Sequence, residues 1–240
     1  HVAIKGNGLN PQAFIASAPK ADLDFDATVV PAATSGLSLE GSIDLANHQA
    51  AAADQGGIPV RSLLADFTVD ENGVLKILEA DAALLKKGRI SFSGSTDTAK
   101  QTLNLDTESH DIVLGDVLAQ EYPDALNGKI QLRGSYSDPQ ALWNFTFGKT
   151  VSNGEVLLST DTASGQQTVN LKRAQILPEN GGETQAAGTL ELFKDQAINL
   201  NLTSKNFYQV KIDSSMPEGS VNVDINLTGA LGKQLSNGKE

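Results

Sequence analysis

Strict alternation of apolar and polar residues is the feature that most limits what this chain can fold into. It is clearest in Leu37-Ser-Leu-Glu-Gly-Ser-Ile-Asp-Leu45, and it returns in Leu126-Asn-Gly-Lys-Ile-Gln-Leu-Arg-Gly134 and Gly219-Ser-Val-Asn-Val-Asp-Ile-Asn-Leu-Thr-Gly229. Successive side chains of an extended strand point to opposite faces, so a period of two gives each strand one oily and one wet side. Gly41, Gly128 and Gly219, near the starts of these stretches, are 87 and 91 residues apart. That spacing predicts a recurring multi-strand unit of roughly ninety residues. Its boundaries fall near 1–35, 36–126, 127–217 and 218–240.

The same reading gives sixteen candidate strands: 2–7, 22–29, 37–46, 60–70, 73–80, 88–95, 101–107, 110–114, 127–135, 141–147, 153–160, 167–173, 185–193, 196–203, 206–213 and 218–229. Polar links such as Asp70-Glu-Asn-Gly73, Ser152-Asn-Gly154, Ala163-Ser-Gly165 and Glu179-Asn-Gly-Gly182 punctuate them. Links this short favour antiparallel hairpins over helical crossovers. Two segments depart from the pattern. Asn10-Pro11 places a capping residue before a proline at the first helical position, which predicts a short helix. Asp116–Tyr122 predicts a second, ended by Pro123. Neither is long enough to be stable alone. The expected fold is therefore all-β, an antiparallel sheet with one or two short helices.

Sixteen strands at ~4.8 Å spacing would make a sheet on the order of 70 Å wide, and an open sheet of that size curls, splits or closes. Aromatic residues are only 5% of the chain, too few for an interlocked aromatic core. The apolar side is instead mainly Leu, Ile, Val and Ala. Its main candidates are Leu37, Leu39, Ile43, Leu45, Leu63, Phe67, Ile90, Phe92, Leu103, Leu105, Ile130 and Leu132, continuing with Trp143, Phe145, Phe147, Leu190, Leu192, Ile198, Leu200, Leu202, Val221, Val223, Ile225 and Leu227. Either two sheets pack face to face on these residues, or one curled sheet leaves them lining a trough.

Charge and motifs exclude several functions. A net charge of −11, from 29 acids against 18 bases, argues against nucleic acid, which needs clustered Lys and Arg. An acidic exterior is also repelled by anionic headgroups. The basic cluster Lys86-Lys87-Gly-Arg89 reads as a solvated turn. The absence of cysteine removes disulfide scaffolds and thiolate metal sites, and suits an oxidising compartment. No run approaches the ~18–20 apolar residues of a membrane span. The first residues lack a signal-peptide pattern, so the chain reads as a piece of something longer.

Catalytic constellations fail on geometry. Ser109-His110-Asp111 has the residue types of a hydrolase triad, but neighbours on a strand point to opposite faces and cannot form that relay. Asp22-Leu-Asp-Phe-Asp26 resembles the start of a calcium loop, yet Ala27 stands where the turn glycine belongs and no bidentate Glu follows. It reads as the wet side of a strand. His1, His48 and His110 lack metal-ligand spacing. The Asn-x-Thr triplets at Asn144, Asn201 and Asn226 read as outward strand faces. A carbohydrate-processing solenoid would need a carboxylate pair across a cleft, and the acids here are spread along strands. The expectation is no catalytic residue, no metal and no cofactor.

One stretch is more specific than alternation. Leu39-x-Gly-x-Ile-x-Leu-x-Asn47 is followed by Gly56-Gly-Ile-Pro59, Leu63-Leu-Ala-x-Phe-x-Val69 and Asn72-Gly-x-Leu75. Next come Gly88-Arg-Ile-Ser-Phe-Ser-Gly94, Thr102-Leu-Asn-Leu105, Asp111-Ile-Val-Leu114 and Leu126-x-Gly-x-Ile-x-Leu-x-Gly134. This order resembles the periplasmic repeats of the TamB family, within the AsmA-like group, as does the opening Ile4-Lys-Gly-Asn-Gly-Leu-Asn-Pro11. The region 150–187 departs from it, with no Gly-x-Pro link. The resemblance implies one continuous curled sheet over 1–240, a taco-like half-pipe with a hydrophobic inside. It implies a bridge-like lipid-transfer conduit in the Gram-negative envelope, carrying phospholipid acyl chains. It also implies a periplasmic location, an inner-membrane anchor outside this sequence, and an outer-membrane barrel partner of the TamA type, as in a translocation and assembly module. The rival expectation is a structural β-sandwich or adhesin-like spacer with a closed core and no ligand.

Overall fold

Alternation in the sequence becomes hydrogen-bonded register almost everywhere. The computed structural model describes residues 1–32, 38–120, 124–161, 164–179, 181–192, 197–208 and 220–230. The strands are β1 (Val2–Leu9), β2 (Leu23–Pro31), β3 (Leu39–Asn47), β4 (Val60–Val69), β5 (Val74–Leu84), β6 (Arg89–Asp97), β7 (Thr102–Ile112), β8 (Leu126–Ser135), β9 (Pro139–Phe147), β10 (Thr150–Thr160), β11 (Gln167–Leu177), β12 (Glu183–Glu191), β13 (Ala197–Tyr208) and β14 (Ser220–Ala230). The chain forms two compact units, His1–Gln131 and Leu132–Glu240, divided within β8. In each, the strands lie in the sheet in the order of the chain. Among the described residues β1 pairs only with β2 and β14 only with β13, both antiparallel, so neither unit closes into a barrel. The expected all-β antiparallel architecture is what forms.

Two pairs of predicted strands are single strands. The segments 101–107 and 110–114 are one strand, β7, because alternation continues through Glu108 and Ser109 and pairs with Ser91 and Ile90. The segment 196–203 continues to Tyr208 through a register shift between Ser204 and Phe207, with Asn206 at φ 52°. The rest of the segment 206–213, and Gly219, lie outside the described residues.

The first predicted helix is a single 3-10 turn, the second has residues 121–122 outside the described residues and only the last residue of such a turn within it, and a further turn occurs at Ala53–Gln55. Pro11–Ala13 starts as expected, with the Asn10 side chain accepting from the Gln12 amide at 3.1 Å. The turn that touches the second lies at Leu114–Asp116, ending at the residue where the sequence predicted a start. The cause is the Asp116 carboxylate. Instead of capping a following helix, it turns back to accept from the Val113 amide at 2.9 Å.

Asp116 belongs to a collar along one rim of the first unit. The links β1–β2, β3–β4, β5–β6 and β7–β8 all emerge there. The fully buried Asp116 carboxylate also accepts from the backbone amides of Lys86 (2.6 Å), Lys87 (2.9 Å) and Gly88 (3.1 Å). A Cβ at Gly88 would collide with it. Arg61 Nη2 holds the same turn through the Lys86 carbonyl at 3.1 Å. The Ala53 amide donates to the Val117 carbonyl at 2.8 Å, and the Ala119 amide to Asp54 Oδ1 at 2.9 Å. Buried Asn47 satisfies all its polar atoms, accepting from the Asp22 and Gln49 amides and donating to the Ile58 and Val60 carbonyls. Buried polar groups this fully bonded fix the loops instead of straining them.

The apolar core is small. Among the described residues only Ala21, Ala52, Ala80, Ala82 and Leu84 are buried hydrophobics, all in the first unit. Extensive packing is confined to strands adjacent in the sheet.

Candidate functional site

Directly opposed residues of an antiparallel pair share a face, so the register assigns most of the described candidates. In the first unit Leu39 is opposite Pro31 and Val69, Ile43 opposite Ala27 and Ala65, and Leu45 opposite Phe25 and Leu63. Phe67 is opposite Gly41 and Ile77, Ile90 opposite Ala82 and Ser109, and Phe92 opposite Ala80 and Thr107. Leu103 and Leu105 face Thr96 and Gly94. Lys129 reaches Glu108 at 3.2 Å and Gln131 reaches Asp106 at 2.9 Å. These contacts put Lys129 and Gln131 on the polar face and Ile130, between them, on the apolar one. Leu37 lies outside the described residues.

The second unit repeats the arrangement. Trp143, Phe145 and Phe147 are opposite Gly154, Ser152 and Thr150. Leu190 is opposite Val169 and Ile198, while Leu200 and Leu202 are opposite Gly188 and Ala186. Across the next pair, Ile198 meets Gly229, Leu200 meets Leu227, Leu202 meets Ile225 and Ser204 meets Val223. Leu132 is half-buried on β8, and Leu192 follows β12, its amide bonded to the Gln167 carbonyl at 2.9 Å. The backbone of Val221 pairs with Phe207; the side chain of Val221 lies outside the description. The same register adds Phe25, Val29, Val69, Ile77, Val156, Leu158, Val169, Leu171 and Ile176 to the apolar face. Phe25, Val69, Val169 and Leu171 have polar neighbours on both sides in the sequence, whereas Val29, Ile77, Val156, Leu158 and Ile176 each adjoin another apolar residue and are placed by the register alone.

The apolar faces are wide and partly wet. Val2 and Ile4 on β1 are 58% and 56% exposed, and Ile225 and Leu227 on β14 are 49% and 48% exposed. Three of the aromatic residues meet glycine across the pairing: Gly6 with Phe25, Gly41 with Phe67 and Gly154 with Trp143. In each case the ring lies over the glycine, where a Cβ would overlap its distal carbons. Trp143 Nε1 donates to Ser152 Oγ at 3.2 Å, which holds the indole down.

The opposite faces are polar and differ between units. In the first, Asp26 is directly opposite Asp44, and Asp66 opposite Glu79. Like charges so placed repel; the Lys5 ammonium lies on Asp26, and this contact holds the ammonium's own pKa above the usual lysine range. Two hollows open on this polar face. One, of about 500 Å³, is lined by Ser91, Ser93, Asp106, Glu108, Lys129 and Gln131 among others. The other, of about 440 Å³, is lined by Ser42, Asp44, Leu64, Asp66, Glu79 and Asp81 among others. Acid-rich and open to water, neither is chemically suited to hydrocarbon. The second unit's polar face carries Asn144, Asn199, Asn201 and Asn226, all exposed.

The carboxylates with lowered pKa act structurally. Asp24 is lowered by the Gly8 amide and by His48, whose Nε2 lies 3.0 Å away. Asp138 is lowered by the Thr160 amide and the Ser137 hydroxyl. At Asp116 burial alone would raise the pKa, but the four backbone amides outweigh it and the net shift is downward. Ser109 is buried on the apolar face, its hydroxyl donating to the Gly128 carbonyl at 3.2 Å. His110 is exposed on the opposite side, and Asp111 sits at φ 51°, so these three side chains do not converge. Asp24 and Asp26 lie together on the polar face with separate partners. No family model, curated protein or solved structure matches the chain.

Proposed function

We propose that the apolar face of each unit is a length of acyl-chain path, and that the chain is part of a bridge-like lipid-transfer conduit in the Gram-negative envelope. The observation that carries this reading is a wide, single-sided apolar surface with almost no buried core behind it. Each Å² of such surface costs ~25 cal/mol when left wet, and contiguous patches beyond a few hundred Å² mark contact sites. Acyl chains fit it because they are flexible, apolar and need no directional partner. The polar side chains that the register places on it include small hydroxyls such as Thr96, Thr107, Ser152 and Ser204, which suits sliding more than tight holding.

The taco-like curl, one groove running through 1–240, the periplasmic location, an anchor beyond this sequence and the TamA-type barrel partner belong to the same proposal. They rest on the resemblance of the 39–134 pattern to TamB repeats. The acidic polar face of the first unit fits the scheme, since it would keep the outside of a conduit from adhering to anionic bilayers.

The test uses photo-crosslinkers at Leu200 and Asn201, neighbours on opposite faces, together with mass spectrometry of solvent extracts of the purified chain. Phospholipid in the extract, with lipid adducts at Leu200 and few at Asn201, is expected. No lipid, or equal adducts at both positions in the folded protein, would overturn the reading in favour of a closed spacer.

A further inference from the structure

Glycine inside a strand weakens it and calls for a local reason. At Gly6 and Gly41 that reason is not backbone conformation, because neither has a left-handed φ, and the nearest atoms a Cβ would meet are all carbons of the Phe25 and Phe67 rings respectively. An alanine there meets a ring alone, and the ring must shift to admit it. The third pair, Gly154 with Trp143, has the same form, with the Arg173 carbonyl also close.

Resting on the acyl-chain reading above, we propose that these glycine–aromatic pairs set the clearance of the path. A ring lying across its neighbouring strand presents a flat face, whereas an upright ring projects into the depth that a chain would occupy. Packed sheets stand ~10 Å apart, so an upright aromatic fills much of the room one apolar layer has. Lying rings keep the face level and still supply their apolar area. Gly41 is therefore a positioning residue acting through Phe67, and the favoured ligand is a slim hydrocarbon chain.

The experiment places a benzophenone crosslinker at Ile43, two residues from Gly41 on the same face, or at Leu103 on β7 as control. The full chain is irradiated with phosphatidylethanolamine vesicles. In Gly41→Ala the lipid adduct at Ile43 should fall about fivefold, because contact attraction is lost over ångström-scale displacements, while the Leu103 adduct holds. The double variant Gly41→Ala/Phe67→Leu should restore it, since no ring remains to be lifted. Phe67→Leu alone, which needs no steric adjustment, should keep the Ile43 adduct, and a loss there would overturn the proposal. So would an unchanged Ile43 adduct in folded Gly41→Ala. No adduct at either position in the unsubstituted chain would instead overturn the lipid reading itself.

Discussion

In His1–Gln131 four rim loops bury Ala21, Ala52, Leu84, Asn47 and Asp116; in Leu132–Glu240 the described residues bury only Gly154 and Ser204. The charges differ as well. The first unit has 18 acids and 9 bases, a net of −9, and the second 11 acids and 9 bases, a net of −2. Yet both units place most of their strand Leu, Ile and aromatic residues on one face by the same cross-strand pairing, with Leu64, Leu78, Leu142 and Leu157 as exceptions on the other. The apolar face is thus independent of how a unit is anchored. Backbone ladders and period-two alternation suffice to build it, while the collar adds local stability to one unit only.

The largest effect should come from Asp116→Ala. It takes the carboxylate from one buried and three partly buried amides and should destabilise the first unit by about 2–4 kcal/mol. Hydrogen exchange should show β5, β6 and β7 opening while β10–β13 keep their protection. Equal loss in both units would break the contrast drawn here.

Next is the charge-on-a-face pair. Leu200→Arg puts a guanidinium on the apolar face, where desolvation is costly unless it snorkels to water, and lipid held by the chain should drop sharply. Asn201→Arg, on the polar face, should leave it unchanged. Extracted phospholipid per chain is the readout, and similar values for the two variants would erase the distinction between faces.

Asn47→Ala removes a buried side chain with four backbone partners and should cost about 2 kcal/mol, again confined to the first unit. Denaturant unfolding monitored by exchange at Asp22 and Gln49, whose amides donate to Asn47, would measure it. The smallest effect is on pH. The folded Asp116 carboxyl titrates below its ordinary value. Its contribution is therefore complete above the unfolded aspartate value of about 3.9 and is lost as pH falls through the lower folded value. Acidification should loosen the collar amides of Lys86, Lys87 and Gly88 before the β10–β12 ladder. Asp116→Asn should flatten that difference.

The faces were legible because alternation is local: Ile43 and Leu45 needed only their neighbours to be placed. The bulges were not. Leu78, beside Glu79 on the polar face, is an extra residue in β5 between Ile77 and Ala80, and it becomes visible only once β6 supplies the opposing count. Ser109 looked like part of a polar break, yet it sits on the apolar face because its hydroxyl finds a carbonyl on β8. Asp116 and Asn47 were invisible for a related reason. Their partners at Lys86 and Val60 are distant in sequence, and no spacing rule links a carboxylate to a turn of bare amides.

Leu39-Glu-Gly41 opens β3 and Leu126-Asn-Gly128 opens β8, five strands later. Five is odd, and antiparallel neighbours reverse at each step, so the two look-alike segments run in opposite directions. Removing or duplicating such a module would turn every later loop toward the other margin of the sheet. The next interval, from β8 to β14, holds six strands, so removing or duplicating that module would leave the later loops on their own margin. Any partner that reads one margin therefore tolerates a change by the six-strand module and is turned away by a change of the five-strand one.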